Sequence, residues 1–129
     1  MGRQDEREDQ QALTGDPDGI GERLAASLVH EWGTPGAPEA IAALMRSAAT
    51  DAPIAAAVGE FLETVMIPTL AAAAVPDRPE LRAAQAASQI IGFAVSRFVL
   101  RVAPAATVSL EEVAPRLGAA VQRILRDPL

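Results

Sequence analysis

The chain has 129 residues with a formal net charge of −6, and 50% of the residues are hydrophobic although only 3% are aromatic. This length suits one domain with a sizeable core. The absence of cysteine excludes disulfide frameworks and thiol catalysis, and the acidic balance argues against a nucleic-acid-binding surface on this chain. The 28 alanines, with few β-branched or aromatic runs, predict a small all-helical protein.

The first segment, residues 1–14, is polar and acidic and shows no apolar periodicity. We therefore expect it to be a frayed end ahead of one folded domain spanning residues 15–129. It lacks the apolar run of a secretory leader. The longest apolar stretch, residues 65–75, contains Pro68 and is shorter than the roughly 20 residues of a membrane span. These observations predict a cytoplasmic protein with no membrane contact.

The first two predicted helices are bounded by turn residues. A turn at residues 16–19 precedes apolar residues that recur every four positions from Ile20 to Trp32, and the glycine-containing segment 33–36 ends this helix. The second helix is predicted to begin near Pro38, because proline is well tolerated in a first helical turn.

The third predicted helix begins near Asp51, a residue type that favours the N-cap position, and carries a broad apolar face as far as Leu70. Pro68 falls inside this pattern, where it removes one backbone hydrogen bond and crowds the preceding turn. We therefore expect a kink between Thr64 and Pro68.

The fourth predicted helix extends from Glu80 to about Val102, and its apolar arc is wider than one core requires. On the remaining side Ser88, Gly92 and Ser96 recur every four residues, and such small side chains let another helix approach closely. The pattern predicts a helix that packs on more than one side.

The fifth predicted helix opens with Ser109 and Glu112, spaced as in a capping box, and carries an apolar stripe as far as Leu125. Pro115 falls early in this helix, where we expect it to kink the first turn. The sequence contains no alternating pattern typical of strands. The predicted fold class is all-α, a bundle of about five helices.

Few residues favour catalysis or metal binding. His30 is the only histidine and projects away from the apolar stripe of the first helix, so we interpret it as an exposed or interface residue. Glu60 and Glu63 lie three positions apart, a spacing at which helix-surface acids are usually solvated. A small helical lyase or isomerase that uses these residues is the enzyme alternative. We predict no catalytic residue, no metal site and no cofactor.

The bulky apolar side chains allow two interpretations. They fill a plain core, or they line an apolar cavity beside the kinked third helix, as small-molecule sites between helices often do. This set consists of Trp32, Met45, Phe61, Met66, Phe93 and Phe98. Arg97 and Arg101, four positions apart, are either surface arginines or an anchor for a ligand carboxylate or a dimer salt bridge.

Several short runs occur in a recognisable order and spacing. The most characteristic are Ala-Ser-Gln-Ile-Ile-Gly-Phe-Ala at 87–94 and Arg-Phe-Val-Leu-Arg at 97–101. The others are residues 21–24, Trp32, residues 43–48, residues 61–63 and residues 119–125. Together, from about Gly15 to Leu129, the sequence resembles the C-terminal regulatory domain of TetR-type (tetracycline-repressor-like) transcriptional regulators from high-GC bacteria.

This resemblance implies that a small, often apolar effector binds between the earlier helices. The implied effector contacts are Leu28, Trp32, Met45, Phe61, Val65, Met66, Phe93 and Arg97. It also implies a homodimer in which the last two helices of each chain form a four-helix bundle. The implied dimer contacts are Ser88, Gly92, Ser96, Leu117, Val121 and Ile124.

The function expected from the resemblance is that of an effector-binding and dimerisation domain. The helix-turn-helix module that reads DNA in this family is missing from this sequence, because residues 1–14 are too short and too acidic to replace it. DNA binding is therefore expected only through a module absent from this chain. The alternative is a stand-alone helical partner that forms mixed dimers with a full-length regulator and removes one of its two half-site readers.

Overall fold

The computed structural model describes residues 15–128, and within this range the chain forms helices and no strands. The predicted all-α fold is thus confirmed, whereas the polar segment predicted for residues 1–14 lies outside the described residues. After a 3₁₀ turn at Pro17–Gly19, the helices are α1 (Ile20–Trp32), α2 (Ala37–Thr50), α3 (Ala52–Phe61, a π-helical segment Leu62–Met66, and Ile67–Ala73), α4 (Pro79–Ala94 and a π-helical segment Val95–Val99) and α5 (Leu110–Arg126).

Local capping explains why α3 and α5 begin where the sequence predicts. The carboxylate of Asp51 accepts a hydrogen bond from the Ile54 N–H at 3.3 Å, at the start of α3. The hydroxyl of Ser109 accepts one from the Glu112 N–H at 3.2 Å, at the start of α5. Each bond satisfies a backbone donor that the first turn of a helix leaves without a partner.

The irregularity expected near Pro68 is a π-helical segment inside a continuous α3. Within Leu62–Met66 the backbone bonds reach back five residues, and the Ile67 N–H donates to the carbonyl of Leu62. Proline has no N–H to donate and crowds the turn before it, and a π-turn is one way in which a helix absorbs such a defect. The extra residue also rotates the first half of α3 relative to the second.

The first and last helices cross in close backbone contact. A methyl group on Gly21 would overlap the carbonyl oxygen of Gly118, and one on Gly118 would lie 3.0 Å from the carbonyl oxygen of Gly21. The Gly21 N–H donates to Oε1 of Gln122 at 2.8 Å, and Nε2 of Gln122 donates to the Pro17 carbonyl at 3.1 Å. This crossing, which we call the α1–α5 seam, therefore requires glycine at position 21 and leaves little room for a side chain at Gly118.

A buried arginine links the start of α4 to the end of α5 through hydrogen bonds. Arg82 is 1% exposed, and its Nη1 donates to the carbonyls of Ile124 at 2.9 Å and Asp127 at 2.6 Å. Its Nε donates to the Asp77 carbonyl at 2.7 Å, and its Nη2 lies 3.5 Å from the Asp77 carboxylate. Arg82 thus satisfies carbonyls at the end of α5 that no helical N–H can reach.

The first two-thirds of α3 is attached differently, since no residue of its segments Ala52–Phe61 and Leu62–Met66 is buried. Within residues 15–128, Ala52–Ala73 is the one helix long and apolar enough to cross a membrane, by length and composition only. Glu60 and Glu63 lie exposed near its middle, where a bilayer would disfavour charge. A single helix of this kind is weak evidence for a membrane span.

Candidate functional site

An aromatic cluster lies where α1 meets α4. The Trp32 ring stacks on Phe93 with 5.9 Å between the ring centroids, and it meets Phe98 edge to face at 5.6 Å. Trp32 and Phe98 are buried, and Phe93 is half-buried. Leu28, Met45 and Met66, which the resemblance also implies as effector contacts, are half-buried and pack against the same core. Five of the eight implied effector residues therefore border one core region.

Phe61 and Val65 do not belong to this region. They are 51% and 44% exposed on α3, so their side chains lie outside the enclosed core. The apolar residues of α3 cover more than one face, and only the face that carries Leu70 and Ala73 is buried against the rest of the domain. Periodicity alone could not tell which of these faces meets the core.

A groove of about 470 Å³ lies between α4 and α5 and opens to solvent on one side. One wall comes from Gln89 and Phe93 of α4. The loop after α4 adds Pro104, Ala105 and Val108. Since Phe93 also stacks on Trp32, the groove reaches the edge of the aromatic cluster.

The opposite wall of the groove comes from α5. Val113, Leu117 and Ala120 give it an apolar surface, and Glu112 and Arg116 stand exposed at the rim. The guanidinium of Arg116 donates to the backbone carbonyl of Glu112 at 2.9 Å, which keeps it along its own helix. The groove is therefore mostly apolar with polar groups at its edge, which is the usual make-up of a small-molecule site.

Arg97 holds the loop that borders this groove. Its Nη1 donates to the carbonyl of Ala105 at 3.0 Å and to that of Val108 at 2.7 Å, and its guanidinium lies 5.8 Å from the Phe98 ring centroid. The spacing of Arg97 and Arg101 left open surface arginines or an anchor for a ligand or a dimer partner, and it did not reveal these hydrogen bonds to the loop.

The outer side of α4 carries the small residues that the sequence singled out. Ser88 and Gly92 are exposed and Ser96 is half-buried, and a Cβ added to Gly92 would meet no atom within 4 Å. The hydroxyls of Ser88 and Ser96 donate to the carbonyls four residues earlier, at 2.8 and 2.9 Å. Because these hydroxyls are satisfied within α4, the surface is smooth and its polar groups need no partner. We call it the outer face of α4.

The α5 residues implied as dimer contacts have a different environment. Leu117 and Val121 are buried and Ile124 is half-buried against the core, so these side chains fill the protomer instead of facing outwards. The stripe to which they belong is the side of α5 that covers the rest of the domain. The positions of α5 that do face solvent include Arg116 and Arg123.

Two features of the structure were not predicted from the sequence: the loop wall of the groove and the α1–α5 seam. The loop residues of the groove lack any periodic pattern that would have indicated them. The α1–α5 seam did leave a signal, because Gly21 and Gly118 stand inside otherwise regular helices, where glycine costs about 0.5–1 kcal/mol relative to alanine.

The residues considered for catalysis lie apart from the groove. His30 is exposed on α1, and Glu60 and Glu63 are exposed on α3. Among residues 15–128 no three side chains of the metal-ligating types come together.

Comparison with known proteins finds a family that matches this chain. Residues 18–125 match the family model described as tetracyclin repressor-like, C-terminal domain. The fold is similar to the crystal structure of a TetR-family regulator from Streptomyces coelicolor A3, with a TM-score of 0.63 and 25% identity, covering 94% of this chain and 80% of that one. Among curated proteins none matches the sequence. The matched residues include the aromatic cluster, the groove and the outer face of α4.

Proposed function

Because the family model matches most of its length, the chain belongs to the tetracycline-repressor-like C-terminal domain family, and we propose that it senses a small apolar molecule as a homodimer. Regulators of this family are dimeric and bind small-molecule effectors. In this proposal DNA is read by a separate helix-turn-helix module. The chain itself carries out no catalysis and acts in the cytoplasm.

The outer face of α4 supports the dimer most directly. In a twofold dimer the same surface of each chain meets its copy, so a smooth, self-complementary face is required. Ser88, Gly92 and Ser96 provide such a face, and the open space above Gly92 leaves room for close approach of a partner helix. The corrected positions of Leu117 and Val121 shift the α5 contribution to its solvent-facing residues.

The aromatic cluster supports the proposal that the effector is apolar. Trp32 stacks on Phe93, and the apolar side chains of Leu28, Met45 and Met66 are half-buried against the same core. Such a setting selects apolar ligands, because a polar ligand would lose its hydrogen bonds to water. α3 covers this side with no buried residue before Leu70, so it is the element that an effector can displace most easily.

Regulation would follow from a shift between two arrangements of α2 and α3 around the fixed seam. An effector that binds one arrangement more tightly raises its population by the ratio of the two affinities. In a full regulator, that change would alter the distance between the two DNA-reading modules.

A thermal-shift screen against lipophilic compounds tests this function. We expect at least one compound to raise the melting temperature in a saturable way, and to change the emission of Trp32, the only tryptophan. Phe93→Ala should weaken the shift, whereas Leu100→Ala, at a position 63% exposed after α4, should leave it unchanged. If no compound stabilises the protein, sensing of an apolar molecule is wrong.

A further inference from the structure

Residues 37–66, which comprise α2 and the first two-thirds of α3, lie against the core region that holds the aromatic cluster. We infer that these residues form a lid, which opens as one body on hinges at Gly36 and at the π-helical segment of α3. The inference rests on the proposed function, because it supplies the route by which an apolar molecule reaches the cluster. Trp32 is 5% exposed and Phe98 is 7% exposed, so a ligand can reach these rings only when part of the domain moves.

The lid has little buried surface of its own. Of residues 37–66, all of which the structure describes, only Ala42 is buried, at 3% exposure. Ile41, Met45 and Met66 are half-buried against the core and complete the inner side of the lid. A segment held by so few apolar contacts opens at a much lower cost in free energy than the whole domain unfolds.

The two helices of the lid contact each other more than they contact the rest of the domain. Within residues 15–128, Ala52–Phe61 packs chiefly on α2. α2 in turn reaches the rest of the domain mainly through the π-helical segment Val95–Val99 of α4, which carries Phe98. The two helices can therefore move together, and their movement uncovers Phe98.

One boundary of the lid falls inside α3, where the packing of this helix changes. Beyond its π-helical segment, Ile67–Ala73 packs on α4 and carries the buried residues Leu70 and Ala73. The guanidinium of Arg126 donates to the Ala73 carbonyl at 3.3 Å, which links this end of α3 to α5. Pro68 has no N–H to donate back into the π-helical segment, so a bend costs least at this point.

The other boundary of the lid is the turn between α1 and α2. All of residues 33–36 are exposed, whereas Trp32 before them is buried. Gly36 has a φ of +83°, which favours glycine, and a Cβ placed on it would meet no atom within 4 Å. Because its surroundings are open, this glycine can change its backbone angles without displacing other residues, as a hinge requires.

Thiol labelling tests the lid without any ligand, because the chain contains no cysteine. Ala42→Cys places a thiol beneath the lid, and Ala73→Cys places one at the buried end of α3, beyond the hinge. In excess dithiobis(nitrobenzoate), we expect Ala42→Cys to react about 100-fold faster and with a weaker dependence on urea, since local opening exposes little surface. Ala86→Cys, at a position of α4 that is 0% exposed, is the control and should react as slowly as Ala73→Cys.

Gly36→Ala tests the first hinge in both cysteine proteins. Its side chain lies at a positive φ, so it strains the closed state, and global unfolding relieves this strain in either protein. Opening of the lid relieves the strain only if Gly36 changes its backbone angles. We therefore expect labelling of Ala42→Cys to become about tenfold faster, together with that of Ala73→Cys. A rate that rises for Ala73→Cys alone would contradict the hinge.

Gly59→Ala tests whether the lid opens as one body. Gly59 lies inside the lid, and a Cβ placed on it would meet no atom within 4 Å, as at Gly36. The substitution favours the helix equally in the closed and the open lid, so labelling of Ala42→Cys should stay the same. Labelling of Ala73→Cys should slow about threefold, because it requires global unfolding. If both rates slow equally, the lid opens by unfolding and not as one body.

Two further results would overturn the lid. Equal rates for Ala42→Cys, Ala73→Cys and Ala86→Cys would show that only global unfolding exposes these positions. Equally fast labelling of Ala42→Cys and Ala73→Cys, with Ala86→Cys slow, would place the hinge beyond α3.

The labelling experiment also separates the lid from the proposed function. If Ala42→Cys does not fold, Met45→Cys and Ala71→Cys give the same comparison, because both positions are half-buried against the core on either side of the hinge. A thermal-shift screen without a stabilising compound, together with fast labelling under the lid, would contradict apolar sensing and leave the lid in place. Slow labelling under the lid in a protein that a lipophilic compound stabilises would contradict the lid alone.

Discussion

The α1–α5 seam and α3 differ in how closely they pack against the rest of the domain. At the seam, two glycines bring the backbones of α1 and α5 together, and Gln122 bonds to the start of α1. In α3, the segment from Ala52 to Met66 has no buried residue and contains a π-helical turn. The seam is a close-packed contact between two helices, whereas this part of α3 lies on the surface of the domain.

This difference divides the domain into a frame and a movable part. Close-packed interfaces have few alternative arrangements, since small displacements produce overlap. Segments with little buried surface open at low cost in free energy. A sensing domain needs both, because an effector must move one element against another that stays fixed. In the proposed function the fixed frame consists of the seam and the hydrogen bonds of Arg82, and α3 is the part that an effector would move.

Gly21→Ala should have the largest effect on stability. Its methyl group overlaps the carbonyl oxygen of Gly118 and crowds the backbone N and Cβ of Gln122, and these atoms of α5 cannot move aside cheaply. We expect a loss of about 3 kcal/mol in the free energy of unfolding, at the upper end for overpacking. Urea denaturation at a fixed protein concentration measures it. A loss below 1 kcal/mol would mean that the seam can open and is no fixed frame.

Arg82→Met should have the next largest effect. It keeps an unbranched apolar side chain in place of the aliphatic part of the arginine but leaves the carbonyls of Ile124 and Asp127 without their donor. We expect a loss of about 2 kcal/mol, because hydrogen bonds to charged groups contribute about 1.5–3 kcal/mol each and water can replace part of them. Arg46→Met, at an exposed position of α2, is the control and should change stability by less than about 0.5 kcal/mol. Equal effects of the two substitutions would remove Arg82 from the frame.

Gly59→Ala should have the smallest effect, and in the opposite direction. A methyl group at Gly59 meets nothing within 4 Å, so the substitution improves helix propensity without overlap. We expect a gain of about 0.5–1 kcal/mol in the same denaturation experiment. The contrast with Gly21→Ala tests whether two helical glycines differ because of their surroundings. A loss of stability at Gly59 would show that this face of α3 is covered.

Local features of the fold, such as helix starts, could be predicted from the sequence. Which face of each helix packs against the core could not. The starts of α3 and α5 follow from Asp51 and Ser109, because capping depends on residues within one turn. Leu117 and Val121 were expected at a partner and lie in the core, since an apolar stripe looks the same in both places. Gly21 has its partner on the last helix, so only the folded chain explains it.

The groove also could not be predicted from the pattern of the sequence. Its walls come from α4, α5 and the loop between them, and the loop residues carry no periodic signal. Phe93 lines the groove, and Arg97 holds the loop in place, but whether either contacts an effector stays a prediction. Their arrangement depends on how the helices cross, which the pattern of one chain does not specify.

Sedimentation velocity of the unchanged protein, Gly92→Arg and Gly59→Arg tests the central claim that two chains meet through the outer face of α4. The two arginine variants are matched, because both glycines are helical and neither site has an atom within 4 Å of an added Cβ. We predict that the unchanged protein and Gly59→Arg sediment with twice the chain mass of 13.4 kDa, and that Gly92→Arg sediments with that of one chain. A dimer that persists in Gly92→Arg, or an unchanged protein that is monomeric, would contradict the account.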